Sequence, residues 1–97
     1  MKFSTRVQNS PTRIRSLSTA GDKEQSLSMA PKPAGGSSVS GGELLLLALA
    51  TCYCNDIYRE AAKRNIKVKN IEVEVTGDSE AEGKPACNIV SCAKIKF

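Results

Sequence analysis

The sequence predicts a small α+β domain in which one long apolar helix packs on an antiparallel sheet of short strands. A central run of good helix formers contains no Gly or Pro, and residues alternate between apolar and polar on both sides of it. Ninety-seven residues provide apolar surface for one core, so we expect a single domain over residues 1–97. With only four aromatic residues, aliphatic side chains must fill that core.

Residues 1–29 are expected to form two or three short, half-exposed strands. Phe3, Thr5 and Val7 alternate with polar residues, and turn residues follow at 9–11 (Asn-Ser-Pro) and 20–22 (Ala-Gly-Asp). Residues 30–42 are rich in Pro, Gly and Ser, which disfavour helices and strands. This segment is therefore predicted to be an exposed loop.

The central helix is predicted over residues 43–65. Ser40 and Glu43 have the spacing of a capping box, and Lys63, Arg64 and Asn65 suit a helix end. The apolar run within it, residues 44–54, is about eleven residues long, whereas a membrane span needs about twenty. We therefore expect a buried helix and no membrane partner.

A β-hairpin is predicted over residues 70–97. Residues 71–75 have the sequence Ile-Glu-Val-Glu-Val, and residues 89–97 also alternate. Antiparallel pairing is expected to place Glu72 and Glu74 near Lys96 and Lys94 on the solvated face.

Charge and composition argue against several classes of protein. The net charge is +4 with a pI near 9.0, but the basic residues are spread from Lys2 to Lys96 and few aromatics accompany them. A nucleic-acid surface usually needs both features, so no nucleic-acid partner is expected. The N-terminus begins Met-Lys-Phe-Ser-Thr-Arg and lacks the apolar segment of a secretory signal, which favours a cytoplasmic location.

Four cysteines and no histidine leave thiol chemistry as the main chemical option. Cys52 and Cys54 lie about 200° apart around a helix, so they cannot share a zinc ion, and neither a metal nor a cofactor is expected. Cys54 shares a helix face with apolar residues and is interpreted as core filler. Cys52 follows Leu45, Ala48 and Leu49 on its face and precedes Asn55, Asp56 and Arg59. Its partial access and nearby charge favour reactivity.

The other two cysteines, Cys87 and Cys92, lie on one predicted strand. An odd number of residues separates them, so they face opposite sides of the sheet and are not a natural local disulfide. Cys87 is interpreted as core filler and Cys92 as a surface thiol. Either remains a candidate to resolve an oxidised Cys52.

Residues 41–76, GGELLLLALATCYCNDIYREAAKRNIKVKNIEVEVT, resemble the OsmC/Ohr family of thiol peroxidases, named for osmotic induction and organic hydroperoxide resistance. In that family a Gly/Ser-rich approach and a Glu precede an apolar helix that ends Ala-Ala-Cys. Residues 49–52, Leu-Ala-Thr-Cys, occupy this position, so the resemblance implies that Cys52 is the peroxidatic cysteine. It also implies a sulfenic acid that a second cysteine captures, as well as an intertwined homodimer.

The same resemblance implies that a Glu orients an Arg beside the thiolate, with Glu43 as the candidate. Glu43 is one residue closer to the cysteine than the family Glu, and it suits a capping role as well. The candidates for this Arg are Arg6, Arg13 and Arg15, and the sequence does not identify which of them lies beside the thiolate. The family's second catalytic cysteine lies on a later helix, so the chain is expected to be an incomplete version lacking that C-terminal helix.

Two functions therefore remain open. One is an oxidoreductase of the stress response, similar to peroxiredoxins in chemistry, that reduces organic hydroperoxides through Cys52 with an external thiol as reductant. The alternative is a catalytically silent binding or assembly module in which Cys52 fills the core, and a truncated, incompletely folded product is a further possibility. In either functional case apolar residues on both sides of the helix favour a homodimer through the central helix.

Overall fold

The computed structural model describes residues 1–81 and 83–97, and it confirms the α+β class. The described residues form two compact units, Met1–Ser40 and Gly41–Phe97. The strands belong to two small antiparallel sheets, one in each unit. In chain order the elements are β1 Phe3–Ser10, β2 Arg13–Ala20, β3 Lys23–Gln25, α1 Gly41–Lys63, β4 Asn70–Asp78 and β5 Cys87–Lys96.

The first unit is a three-stranded antiparallel sheet in the order β1-β2-β3. Two-residue loops join its strands, because Ser10 pairs with Arg13 and Ala20 pairs with Lys23. At the first loop the Arg13 N–H donates to Ser10 Oγ at 3.1 Å. The second loop needs a residue at positive φ, which Gly21 supplies with φ of 62°. Both loops lie at the turns that the sequence predicts.

Beyond β3 the chain continues along the edge of β2. The Leu27 N–H donates to Ser16 Oγ at 2.9 Å, and that hydroxyl donates to the Leu27 carbonyl oxygen at 2.7 Å. The segment then turns through an isolated bridge between Pro31 and Ser37. Residues 26–29 are therefore held against the sheet, although they form no regular strand there.

Helix α1 begins and ends two residues before the predicted bounds, at Gly41 and Lys63. Asn65 adopts a left-handed conformation with φ of 54°, as expected for the helix end. The Ile66 N–H donates to the Ala61 oxygen at 2.9 Å and the Asn65 N–H to the Ala62 oxygen at 3.2 Å. These two bonds form a Schellman motif, which satisfies carbonyls that the helix would leave free. Among the described residues no helix is both long and apolar enough to cross a membrane.

One face of α1 packs on the β4–β5 hairpin in the second unit. A methyl group added at Gly77 would lie 3.6 Å from Leu46 Cδ1, which shows how closely the helix approaches β4. The contact buries its residues only in part, and no residue in 1–81 or 83–97 is fully buried. The half-buried residues here are Leu46, Ala50, Cys54, Ile57 and Ala61 on the helix and Ile71, Val73, Val75 and Ala93 on the strands.

The hairpin pairs with a register that corrects one expectation. Glu72 lies opposite Lys94, Glu74 opposite Cys92, and Asn70 opposite Lys96. The expected pairs of Glu72 with Lys96 and of Glu74 with Lys94 are therefore wrong by two residues. The strands shift register between Thr76 and Asp78 at the loop end, so the loop length alone does not fix the pairing.

The last turns of α1 carry an ion-pair network that should make helix stability depend on pH. Arg64 Nη1 lies 2.7 Å and Lys63 Nζ 3.4 Å from the carboxylate of Glu60. The hydrogen bond from Arg64, followed by that from Lys63, lowers the pKa of Glu60 below its ordinary value of 4.5. A carboxylate with a lowered folded-state pKa stabilises the folded state above pH 4.5. This contribution is lost as the pH falls through the lowered pKa.

We therefore expect Arg64→Gln to raise the pKa of Glu60 toward its ordinary value, because the principal hydrogen bond is removed. NMR titration of the Glu60 side-chain carbon signals would measure this change. Lys67→Gln, which removes a positive charge from outside the network, is the matched control and should leave the titration unchanged. An identical titration of Glu60 in wild type and Arg64→Gln would contradict the assignment.

Candidate functional site

Cys52 lies on the face of α1 that points away from the hairpin. Cys54 is half-buried among the residues that pack on the sheet, whereas Cys52 is exposed. The two sulfurs diverge because residues two apart on a helix differ by about 200°. The structure therefore agrees with the separation of the two cysteines inferred from sequence, with Cys54 packed and Cys52 accessible.

The residues around Cys52 form an apolar surface, which we call the Cys52 face and define as Leu45, Ala48, Leu49 and Cys52. These positions are three or four residues apart, so they are neighbours on the helix surface. Leu45 is 51% and Leu49 43% exposed, although both are large aliphatic residues. The thiol is therefore accessible, and its immediate surroundings suit an apolar substrate better than a charged one.

Among the described residues of the second unit, no Lys or Arg side chain forms a hydrogen bond with Cys52. Arg59 lies on the same side of the helix but about 10 Å further along the axis, at 1.5 Å per residue. Its guanidinium also binds Asp56 at 2.5 Å. In the described part of the chain, Cys52 Sγ has no hydrogen-bond partner. A thiolate there needs a positive group from outside this unit.

Glu43 lies in the first turn of α1, nine residues before Cys52. At 1.5 Å per residue the two positions are about 13 Å apart, so one helix does not bring them together. A carboxylate in a first turn interacts favourably with the helix dipole. The geometry therefore supports a structural role for Glu43 at the helix N-terminus, and a role beside Cys52 requires a second chain.

The three Arg candidates share one face of the first sheet. Arg6 lies opposite Leu17, Gln8 opposite Arg15, and Ser10 opposite Arg13. Because residues that pair directly, and residues two apart on a strand, point to the same side, Arg6, Arg13 and Arg15 all lie on one surface. Sequence reasoning treated them as competing single candidates and missed this grouping.

Cys92 lies on the side of the hairpin opposite to the helix. It pairs with Glu74, whereas the adjacent Ala93 is half-buried on the helix side. Since Cys52 is on the outer face of α1, these two cysteines lie on opposite surfaces of the same unit. A disulfide between them within one unit would require unfolding the hairpin from the helix.

Cys87 pairs with Asp78 beyond the irregularity near the loop, and it is exposed rather than packed. The interpretation of Cys87 as core filler is therefore wrong. The physical reason is the left-handed Asn88, with φ of 53°, which interrupts the regular alternation of the strand at this point.

Comparison with known proteins gives one positive result. The family model described as OsmC-like protein matches residues 34–96, about two thirds of the chain, and this range includes Glu43 and Cys52. Searches among curated proteins and among solved structures find no significant match.

Proposed function

Because this chain belongs to the OsmC-like family, we propose that it is a thiol-dependent reductase of organic hydroperoxides with Cys52 as the peroxidatic residue. The supporting observation is the accessible thiol of Cys52 on an apolar helix face within the matched range. We place the activity in the cytoplasm, where a thiol pool keeps cysteines reduced.

The reaction requires two stages. The Cys52 thiolate attacks the outer oxygen of the hydroperoxide, so an S–O bond forms, the O–O bond breaks, and an alcohol leaves after taking up a proton. The sulfur is thereby oxidised to a sulfenic acid. An external thiol then forms a mixed disulfide with Cys52 and releases water, and a second thiol restores the Cys52 thiol and leaves as part of a disulfide.

We further propose that the functional unit is a homodimer in which the Cys52 face packs on the same face of a second copy. Leu45 and Leu49 are exposed in the single chain, and the small Ala48 between them permits close approach of two helices. Such a contact would exclude water from around the thiol.

A specific observation favours a second candidate function. Among the described residues of the second unit Cys52 has no cation partner, and Glu43 is about 13 Å away along the helix. A catalytically silent binding or assembly module, in which the thiol only fills the helix contact, is consistent with this arrangement.

Intact-mass analysis of the reduced protein during titration with cumene hydroperoxide tests the enzymatic proposal. We expect wild type to gain the mass of one oxygen atom, to form a dimedone adduct at Cys52, and to react at least about tenfold faster than free cysteine. Cys52→Ser should lose the reaction. Cys54→Ser, on the same helix but half-buried, is the matched control and should retain it.

Reaction at the rate of free cysteine, or oxidation that persists in Cys52→Ser, would reject the enzymatic proposal. Unchanged dimerisation and thermal stability of Cys52→Ser, together with no peroxide reaction in wild type, would instead support the silent module.

A further inference from the structure

The face of the first sheet that carries Arg6, Arg13 and Arg15, here called the arginine face, borders a groove. The groove has a volume of about 610 Å³, and residues 26–29 form one side of it. Its lining combines the three guanidinium groups with hydroxyl and amide side chains, including Gln8, Ser26 and Ser28. All of these polar groups can donate hydrogen bonds to an anion.

The guanidinium groups of this face have no acidic partner. None of the three arginines forms a salt bridge with any residue in 1–81 or 83–97. Arg13 and Arg15 are two residues apart on one strand, about 7 Å, and Arg6 lies diagonally across from Arg15 at a similar spacing. Like charges this close repel each other, so a bound anion would stabilise the arrangement.

Charge is distributed unevenly between the two units. Met1–Ser40 contains six basic and two acidic residues, whereas Gly41–Phe97 contains eight of each. The net charge of +4 therefore belongs entirely to the first unit. Both acidic residues lie toward the far end of that sheet, since Asp22 is in the second hairpin loop and Glu24 pairs with Thr19.

We propose that the arginine face binds a small soluble ligand that carries two or more phosphate or carboxylate groups. Planar guanidinium groups bind such oxyanions through paired hydrogen bonds, and three of them at a spacing of about 7 Å suit more than one anionic group. The groove volume is in the range of about 300–1,000 Å³ that is usual for small-molecule sites.

A nucleic acid fits the same face less well. The described residues that line the groove include no aromatic side chain on which a base could stack, and the apolar ones are Ile14, Leu17, Leu27 and Met29. Every residue that lines the groove lies in Met1–Ser40, so the proposed binding does not require the Cys52 thiol itself.

Tripolyphosphate and citrate are suitable probes, with acetate as the single-charge control. We expect both probes, at millimolar concentration, to shift the Nε–H signals of Arg6, Arg13 and Arg15 in ¹⁵N spectra, and acetate to shift them little. Arg15→Gln should weaken binding at least about tenfold. Arg15→Lys should weaken it less, because the charge remains while the paired hydrogen bonds are lost.

Lys23→Gln is the matched control. It removes one positive charge from the same sheet, but Lys23 pairs with Ala20 and therefore lies on the opposite face. Equal weakening by Lys23→Gln and Arg15→Gln would overturn the proposal, as would the absence of shifts with both probes or an equal response to acetate. Tighter binding of a short DNA duplex than of tripolyphosphate would also overturn it.

Cys52→Ser separates this proposal from the enzymatic one. We expect that variant to bind tripolyphosphate as wild type does, even though it no longer reacts with cumene hydroperoxide. Loss of tripolyphosphate binding in folded Cys52→Ser would contradict a binding site formed by the arginine face alone.

Discussion

Leu45→Lys is expected to dissociate the proposed homodimer into monomers at micromolar concentration. Leu45 belongs to the Cys52 face and is half exposed in the single chain. Burying such a leucine contributes roughly 1.5–3 kcal/mol, and a two-fold contact loses this contribution twice. The substitution also places two like charges within the contact, which strengthens the effect. Light scattering across a concentration series would measure the change in mass.

Ala62→Lys is the appropriate control because it adds the same charge to an exposed position near the helix end. It should leave the mass unchanged. If the reactive thiol is enclosed by the helix contact, Leu45→Lys should also reduce the reaction of Cys52 with cumene hydroperoxide. A wild-type protein that is monomeric at tens of micromolar would contradict the proposed assembly.

Leu46→Asp is expected to abolish cooperative unfolding of the second unit. Leu46 is half-buried against β4, where its Cδ1 approaches the backbone at Gly77. The change removes apolar contact and places a carboxylate where it has no cation partner, a combination that we expect to cost about 3 kcal/mol or more. Stability of about 0.05–0.15 kcal/mol per residue leaves little margin against such a loss. Thermal melts followed by circular dichroism would show the effect.

Leu45→Asp is the matched control for that measurement. It introduces the same charge one residue earlier, on the exposed side of the helix. We expect this variant to keep a cooperative melt, with a midpoint that no longer rises with protein concentration. If Leu46→Asp melted as Leu45→Asp does, the assignment of the packed face would be wrong.

Several elements were predictable because their causes are local. The Pro/Gly/Ser segment, the predicted capping residue Ser40 and the Asn65 predicted at the helix end bracket α1 to within two residues at each end. Helical spacing also predicted that Cys52 and Cys54 lie on different faces of the helix. The packed and exposed faces differ in composition over five turns. The strands followed from alternation and from turn residues.

Features that depend on pairing between strands were harder to predict from the sequence. The register of the C-terminal hairpin depends on an irregularity near its loop, which changes the partners of Glu72 and Glu74. The arginine face could have been found from sequence, because a two-residue loop at Pro11 and Thr12 fixes which positions of β1 and β2 share a side. A cation partner for Cys52 could not be predicted, since no described residue of the second unit is seen to provide one.

The absence of any fully buried residue in 1–81 and 83–97 has a consequence for how copies of this chain would affect one another in a cell. If the native state requires a second copy, folding is completed by a bimolecular step, and the folded fraction rises with the rate of synthesis. An allele whose chain cannot fold even with a partner would then do little harm, since it forms no pairs. An allele that pairs but lacks the thiol would, with equal expression and random pairing, enter about three quarters of all dimers.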